Sequence, residues 1–172
     1  LFDGNGNYLK TIRISNSNGL LQPSIVPVSS NKAYAYFRNN GHGDSEPRYI
    51  YRKTTNDGGE SWGNLERTNF YNPNSSLVVV NLFKGKYLMV NNLDSRGEIM
   101  LSISEDGINW RQVYSLDKDM DYSYSYPAIL YNGNIIDILY SWKKEKIKHI
   151  RFNLKWLKSL KDYDEVEGKT AK

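Results

Sequence analysis

The sequence has no cysteine, which removes disulfide staples, thiolate nucleophiles and cysteine metal ligands together. Histidine is almost as scarce. His42 and His149 lie far apart and lack the spacing of a metal site, so neither a metal nor a cofactor is expected. No apolar run reaches the roughly 18 residues that suggest a membrane-spanning helix. Helical periodicity is nearly absent too. Charge of one sign is also in short supply, with 23 basic against 19 acidic residues and a net charge of +4. Lys143, Lys144, Lys146 and Lys148 read as a solvated hairpin, so no nucleic-acid partner is expected.

What the chain does have is 14 tyrosines and 4 tryptophans, set among short β-rich runs. Tyrosine and tryptophan suit pleated surfaces and stack on sugar rings. Gly, Asn, Asp and Ser clusters divide the runs, which predicts an all-β chain. Residues 25–28, 33–37 and 49–53 read as three strands of one sheet. Residues 77–83, 87–91 and 99–103 repeat them, and residues 128–131, 135–141 and 147–152 repeat them again. The turns between first and second strands are Ser30-Asn31-Lys32, Lys84-Gly85-Lys86 and Asn132-Gly133-Asn134. Asn132-Gly133 is the strongest tight-turn signal of the three. Residues 1–13, with a turn at Asp3-Gly4-Asn5-Gly6-Asn7, read as the tail of an earlier sheet. Trp156 and Leu157 are expected to pack on the last one.

One motif occurs twice. Thr55-Asn56-Asp57-Gly58-Gly59-Glu60-Ser61-Trp62 returns as Ser104-Glu105-Asp106-Gly107-Ile108-Asn109-Trp110. In each, a hydroxyl residue stands two before an Asp, Gly follows the Asp, and Trp closes the unit. The Asp accepts backbone N–H groups, Gly permits positive φ, and Trp fills the gap beneath. Asp106 lies 49 residues after Asp57, the length of one four-stranded propeller blade. The third repeat lacks the motif and carries Lys143-Lys144-Glu145-Lys146 instead.

In a propeller the innermost strands converge on an axis, and the residues at their starts line a common pocket. Those positions hold Gln22-Pro23-Ser24, Asn74-Ser75-Ser76 and Tyr124-Ser125-Tyr126-Pro127. Arg38 ends a second strand and Arg96 precedes a third. Paired guanidinium forks suit a planar carboxylate, and an adjacent Tyr supplies a nucleophile or a stacking platform. Structural alternatives stand beside these roles. Arg38 also fits an ordinary strand-end arginine, and Arg96 also fits loop decoration. Gln22 also fits a residue that only satisfies backbone groups. Tyr122, Tyr124 and Tyr126 alternate, which also fits a packing row on one strand face.

On these residues the chain resembles the sialidase superfamily, in the form built from BNR or Asp-box repeats. The resemblance covers residues 20–157. It implies a six-bladed sialidase-type β-propeller, of which this chain is about the last three blades and part of another. Residues 1–157 are then a partial propeller and residues 158–172 a charged C-terminal tail. Leu1 stands where Met would begin a complete chain, so a missing N-terminal half is expected.

The resemblance also implies roles. Gln22 and Arg38 are 16 residues apart, and Arg96 and Tyr124 are 28 apart, separations similar to those in sialidases. By that likeness Arg38 and Arg96 belong to a carboxylate-binding arginine triad, Tyr124 is the nucleophile, and Tyr126 lies against the substrate. Two positions depart from the pattern. Gln22 stands where sialidases carry the glutamate that takes the tyrosine proton, and an amide cannot act as a base. Ser141 stands near the place of a glutamate that orients an arginine.

The implied function is a glycoside hydrolase acting on terminal sialic acid or a related acidic sugar, with a sialoglycoconjugate as partner. A secreted, periplasmic or cell-surface location in a bacterium goes with it. The alternatives are a propeller polysaccharide lyase, with Tyr124 or His42 taking the proton, and a glycan-binding propeller without catalysis.

Overall fold

The computed structural model describes residues 1–16, 19–42, 48–83 and 85–163. Its strands form three antiparallel sheets, each read outward in chain order. The first contains β1 (Leu20–Pro27), β2 (Ala33–Asn39), β3 (Tyr49–Thr55) and β4 (Glu66–Tyr71). The second contains β5 (Val78–Phe83), β6 (Lys86–Asn91), β7 (Glu98–Ser104) and β8 (Arg111–Lys118). The third contains β9 (Ser125–Tyr131), β10 (Ile135–Trp142) and β11 (Lys146–Asn153), followed by the short helix α1 (Leu154–Lys158). The first strands, β1, β5 and β9, lie side by side, so the sheets are three successive blades of a β-propeller.

The order of the blades and of their inner three strands follows the sequence reading. The outer strands β4 and β8 were not individually assigned there, and β4 shows why. Its run Glu66-Arg67-Thr68-Asn69-Phe70-Tyr71 buries only Thr68 and Phe70, giving a weak apolar alternation. An outermost strand has one covered face and one exposed face, so half of its residues stay polar.

Two cores separate the blades. Val26, Tyr34, Tyr36, Ile50, Tyr87, Met89 and Trp110 fill the space between the first and second. Leu88, Val90, Ile99, Leu101, Ile103, Ile136, Ile138 and Tyr140 fill the space between the second and third. The run Tyr87-Leu88-Met89-Val90 in β6 therefore buries both faces, alternate residues going to opposite cores. That double burial accounts for its continuous apolar character.

The repeated motif closes the turn after the third strand in both four-stranded blades. Asp57 accepts the Thr55 hydroxyl at 2.7 Å and the Ser61 N–H at 2.9 Å. Asp106 accepts the N–H groups of Ile108 and Asn109 at 2.8 and 2.7 Å. The second turn also clasps the preceding blade. Tyr36 donates its hydroxyl to the Gly107 carbonyl, Arg52 donates to the Asp106 carbonyl, and the Asn69 amide pairs with both backbone groups of Trp110. Trp110 is accordingly buried, while Trp62 of the first turn is only half-buried.

The chain remains packed beyond the boundary expected at residue 157. Leu157 is fully buried, and Leu160 and Tyr163 join the second core. Arg111 reinforces them by donating to the carbonyls of Asp162 and Tyr163. Residues 164–172 of the expected tail lie outside the described residues. At the other end, residues 1–13 form no named strand. They close a small turn through a single Phe2–Tyr8 bridge, and Lys10 ion-pairs with Glu60 of the first blade. No helix among the described residues is long and apolar enough to cross a membrane.

Candidate functional site

The three innermost strands begin alike. Gln22, Asn74 and Tyr126 adopt left-handed backbone conformations, with φ of 45°, 56° and 55°. Asn74 lies 52 residues after Gln22 and 52 before Tyr126, so the irregularity recurs once per blade. A side-chain-bearing residue held there costs about 1–3 kcal/mol, and such positions cluster at sites of function. Hydroxyls just beyond these positions bond the neighbouring strand. Ser24 accepts the Val79 N–H at 3.0 Å, and Ser76 accepts the Tyr126 N–H at 2.8 Å. Ser76 also lies 52 residues after Ser24, so equivalent hydroxyls fasten each inner strand to the next.

Asn74 occupies the centre of this rim. Its side-chain oxygen accepts Arg38 Nε at 2.8 Å, and its backbone carbonyl accepts Arg96 Nη2. Arg38 Nη1 donates to the Gln22 side chain at 2.7 Å. Gln22, Arg38, Asn74 and Arg96 thus form one connected group. The 16-residue spacing between Gln22 and Arg38 is a direct contact, and the two expected arginines share one partner. The sequence placed Asn74 at a strand start lining the pocket but gave it no role. The available signal was its position in the 52-residue series, but its conformation and bonds could not be read from residue type.

The site is electrostatically incomplete. Among the described residues, Arg38 and Arg96 have no acidic partner. Arg52, Arg111 and Arg151, by contrast, meet Glu66, Glu105 and Asp137. Both rim arginines are half-buried and held by neutral oxygens, so two positive charges share one partner with no acidic group bonded to either among the described residues. Such a pair suits a planar carboxylate, which accepts two parallel N–H bonds from a guanidinium.

The tyrosines separate. Tyr124 is 1% exposed and packs edge-on against Tyr140 at 6.4 Å. Its backbone N–H donates to the Arg96 carbonyl at 2.9 Å, which ties it to the rim through main chain. Burial, then the nearby Asp117 carboxylate, pushes its phenol above the ordinary tyrosine value. Tyr126 is exposed, and Tyr122 is exposed beneath Lys143, whose Nζ stands 3.7 Å from the ring. The alternative of one packing row is therefore incorrect, because the turn into β9 and the positive φ of Tyr126 break the alternation.

Ser141 pairs with Ser125 in the β10–β9 register. His42 is exposed, with its backbone N–H donating to Asn40 Oδ1 at 3.1 Å. Residues 43–47, which include Gly43 and Asp44 of its loop, lie outside the described residues. Lys84 of the second expected turn does as well. Two of the lysines after β10 are matched by acids, Lys143 by Asp119 and Lys148 by Asp117.

Solved structures of similar fold are known. The chain is similar to the NanB sialidase of Streptococcus pneumoniae, with 16% identity and a TM-score of 0.58 over 85% of this chain and 25% of that one. It is similar to a Hadza microbial sialidase, with 23% identity and a TM-score of 0.59 over 80% of this chain and 28% of that one. An α-L-arabinanase of Penicillium chrysogenum is also similar, with 16% identity and a TM-score of 0.56 over 77% of this chain and 45% of that one. The chain spans about a quarter of the length of the sialidases it matches. No curated protein matches it. The BNR repeat-like domain family matches residues 1–138, most of the chain, and the chain belongs to that family.

Proposed function

We propose that this chain forms part of the substrate site of a sialidase-type glycosidase acting on an acidic sugar, with the Arg38–Arg96 pair binding the sugar's carboxylate. The observation that carries this reading is the half-buried arginine pair, joined through Asn74 and lacking an acidic partner among the described residues. In this reading Gln22 steadies Arg38, and exposed Tyr126 offers its ring to the sugar. Tyr124, tied to the rim by its backbone bond to Arg96, is the nucleophile that attacks the anomeric carbon. A neutral nucleophile suits that carbon, whose attached carboxylate repels an anionic attacker. The protein acts outside the cell, where sialoglycoconjugates are displayed.

A second reading, a glycan-binding propeller without turnover, draws support from Tyr124 and Gln22. The Tyr124 phenol is buried and held above its ordinary pKa, and Gln22 engages Arg38. One experiment separates the two. The intact protein is assayed for release of sialic acid from a sialoside panel and, in parallel, for binding of N-acetylneuraminic acid. Turnover that disappears in Tyr124→Phe supports the hydrolase. Binding without turnover selects the second reading, and neither binding nor turnover overturns both.

A further inference from the structure

We infer that Asn74 is the positioning residue of the arginine pair, fixing Arg38 and Arg96 at one spacing before any ligand arrives. The inference rests on the acidic-sugar reading for its consequence and on the geometry of Asn74 for its cause. Asn74 meets both guanidinium groups, one through its side chain and the other through its backbone. An arginine side chain has several rotatable bonds and loses much freedom when held. A bond to Nε restrains the guanidinium plane close to its stem, and with Nη1 donating to Gln22 it leaves Nη2 to meet an anion.

The turn carrying Asn74 is itself locked. Asn72 is fully buried, accepts the N–H of Ser75 at 3.0 Å and donates to the Ser75 carbonyl at 2.9 Å. The Ser75 hydroxyl in turn donates to buried Asn92. The Asn72 side chain also accepts the backbone N–H of Asn39, the residue after Arg38. The same buried network therefore sets the backbone of Asn74 and the strand end that carries Arg38.

The left-handed conformation gives a way to separate positioning from folding. Asparagine tolerates φ of 56° better than most residues, and glycine tolerates it best. Asn74→Gly removes the Arg38 acceptor, relieves the backbone and retains the carbonyl that receives Arg96. Asn74→Asp retains an acceptor for Arg38 but adds a negative charge beside the pair.

The test uses Arg Nε–H nuclear magnetic resonance on the ligand-free chain and titration of N-acetylneuraminic acid into the intact protein. In Asn74→Gly, the melting temperature is expected to stay level or rise. The Arg38 Nε–H signal should lose its order, and affinity should fall about tenfold. In Asn74→Asp, the Arg38 signal should remain ordered while affinity still falls, because the ligand's carboxylate meets a like charge. Wild-type order and wild-type affinity in Asn74→Gly would overturn the inference. If Arg38→Ala leaves affinity unchanged, or the wild type does not bind, the acidic-sugar reading fails. The ligand-free signal then still decides Asn74. Order lost in Asn74→Gly supports positioning, and order retained overturns it.

Discussion

Tyr36 donates its phenolic hydroxyl to the carbonyl of Gly107, 2.8 Å away and one blade further along the chain. That bond brings the second Asp-Gly turn so close to β2 that a Cβ on Gly107 would collide with the Tyr36 hydroxyl and the Arg52 guanidinium. Gly58, at the matching place in the first turn, has nearly the same φ and faces open space. Gly107→Ala should therefore cost both backbone strain and overpacking, about 2–5 kcal/mol, while Gly58→Ala should cost about 1 kcal/mol. Urea unfolding of the two variants measures the difference, and equal midpoints would refute the clasp.

The Ser24 and Ser76 hydroxyls each fasten one inner strand to the next. Ser24→Ala and Ser76→Ala should each remove about 1 kcal/mol. The two sites share no bonding partner, so the double variant should lose close to the sum of the single losses. A double variant no less stable than either single one would show that the two bonds are not separate fastenings.

Asp106 connects the same seam to pH. Burial raises its pKa, but the N–H groups of Asn109 and Ile108 together with the Asn109 and Ser104 side chains outweigh that effect, and the folded value lies below the usual 3.8. A carboxylate depressed in the folded state stabilises the protein at pH values above its unfolded value. That contribution declines as pH falls through the folded value. Wild type should therefore lose stability below about pH 4 more steeply than Asp106→Asn, measured by thermal unfolding across pH. Parallel curves would contradict the assignment.

Much of this fold was legible because each repeat carries its own punctuation. Asp57 and Asp106 marked the turns after the third strands, and the Asn132-Gly133 turn marked the β9–β10 hairpin. The β6 run was read as a strand, and the structure adds that both of its faces are buried. The outer strands were fainter, since β4 keeps only Thr68 and Phe70 inside. The site was legible in its charges. Arg38, Arg96 and Gln22 were expected together, and Arg38 with Gln22 and Arg38 with Arg96 through Asn74 are connected. Asn74 was placed at a strand start without a role, because that role depends on a left-handed backbone and on a carbonyl, neither of which is encoded in residue type alone. Tyr124 shows the opposite difficulty. Its spacing suggested a nucleophile, but spacing does not report burial, and its ring lies against Tyr140.

Gln22 gives a prediction that follows from contact rather than from resemblance. Its side-chain oxygen holds Arg38, so Gln22→Glu should place a carboxylate on that guanidinium. The new ion pair would neutralise part of the site and weaken carboxylate binding in the intact protein, by about tenfold or more. Titration with N-acetylneuraminic acid checks this. Unchanged or tighter binding would mean that Arg38 does not meet the ligand's charge.

The arginine pair itself is tested most directly by titrating the intact protein with N-acetylneuraminic acid and, separately, with its methyl ester. The ester keeps the sugar's shape and removes the negative charge. Wild type should bind the acid about 10–100-fold more tightly than the ester. Arg38→Ala and Arg96→Ala should each erase most of that preference. Equal affinity of wild type for acid and ester would contradict a carboxylate-binding site at Arg38 and Arg96.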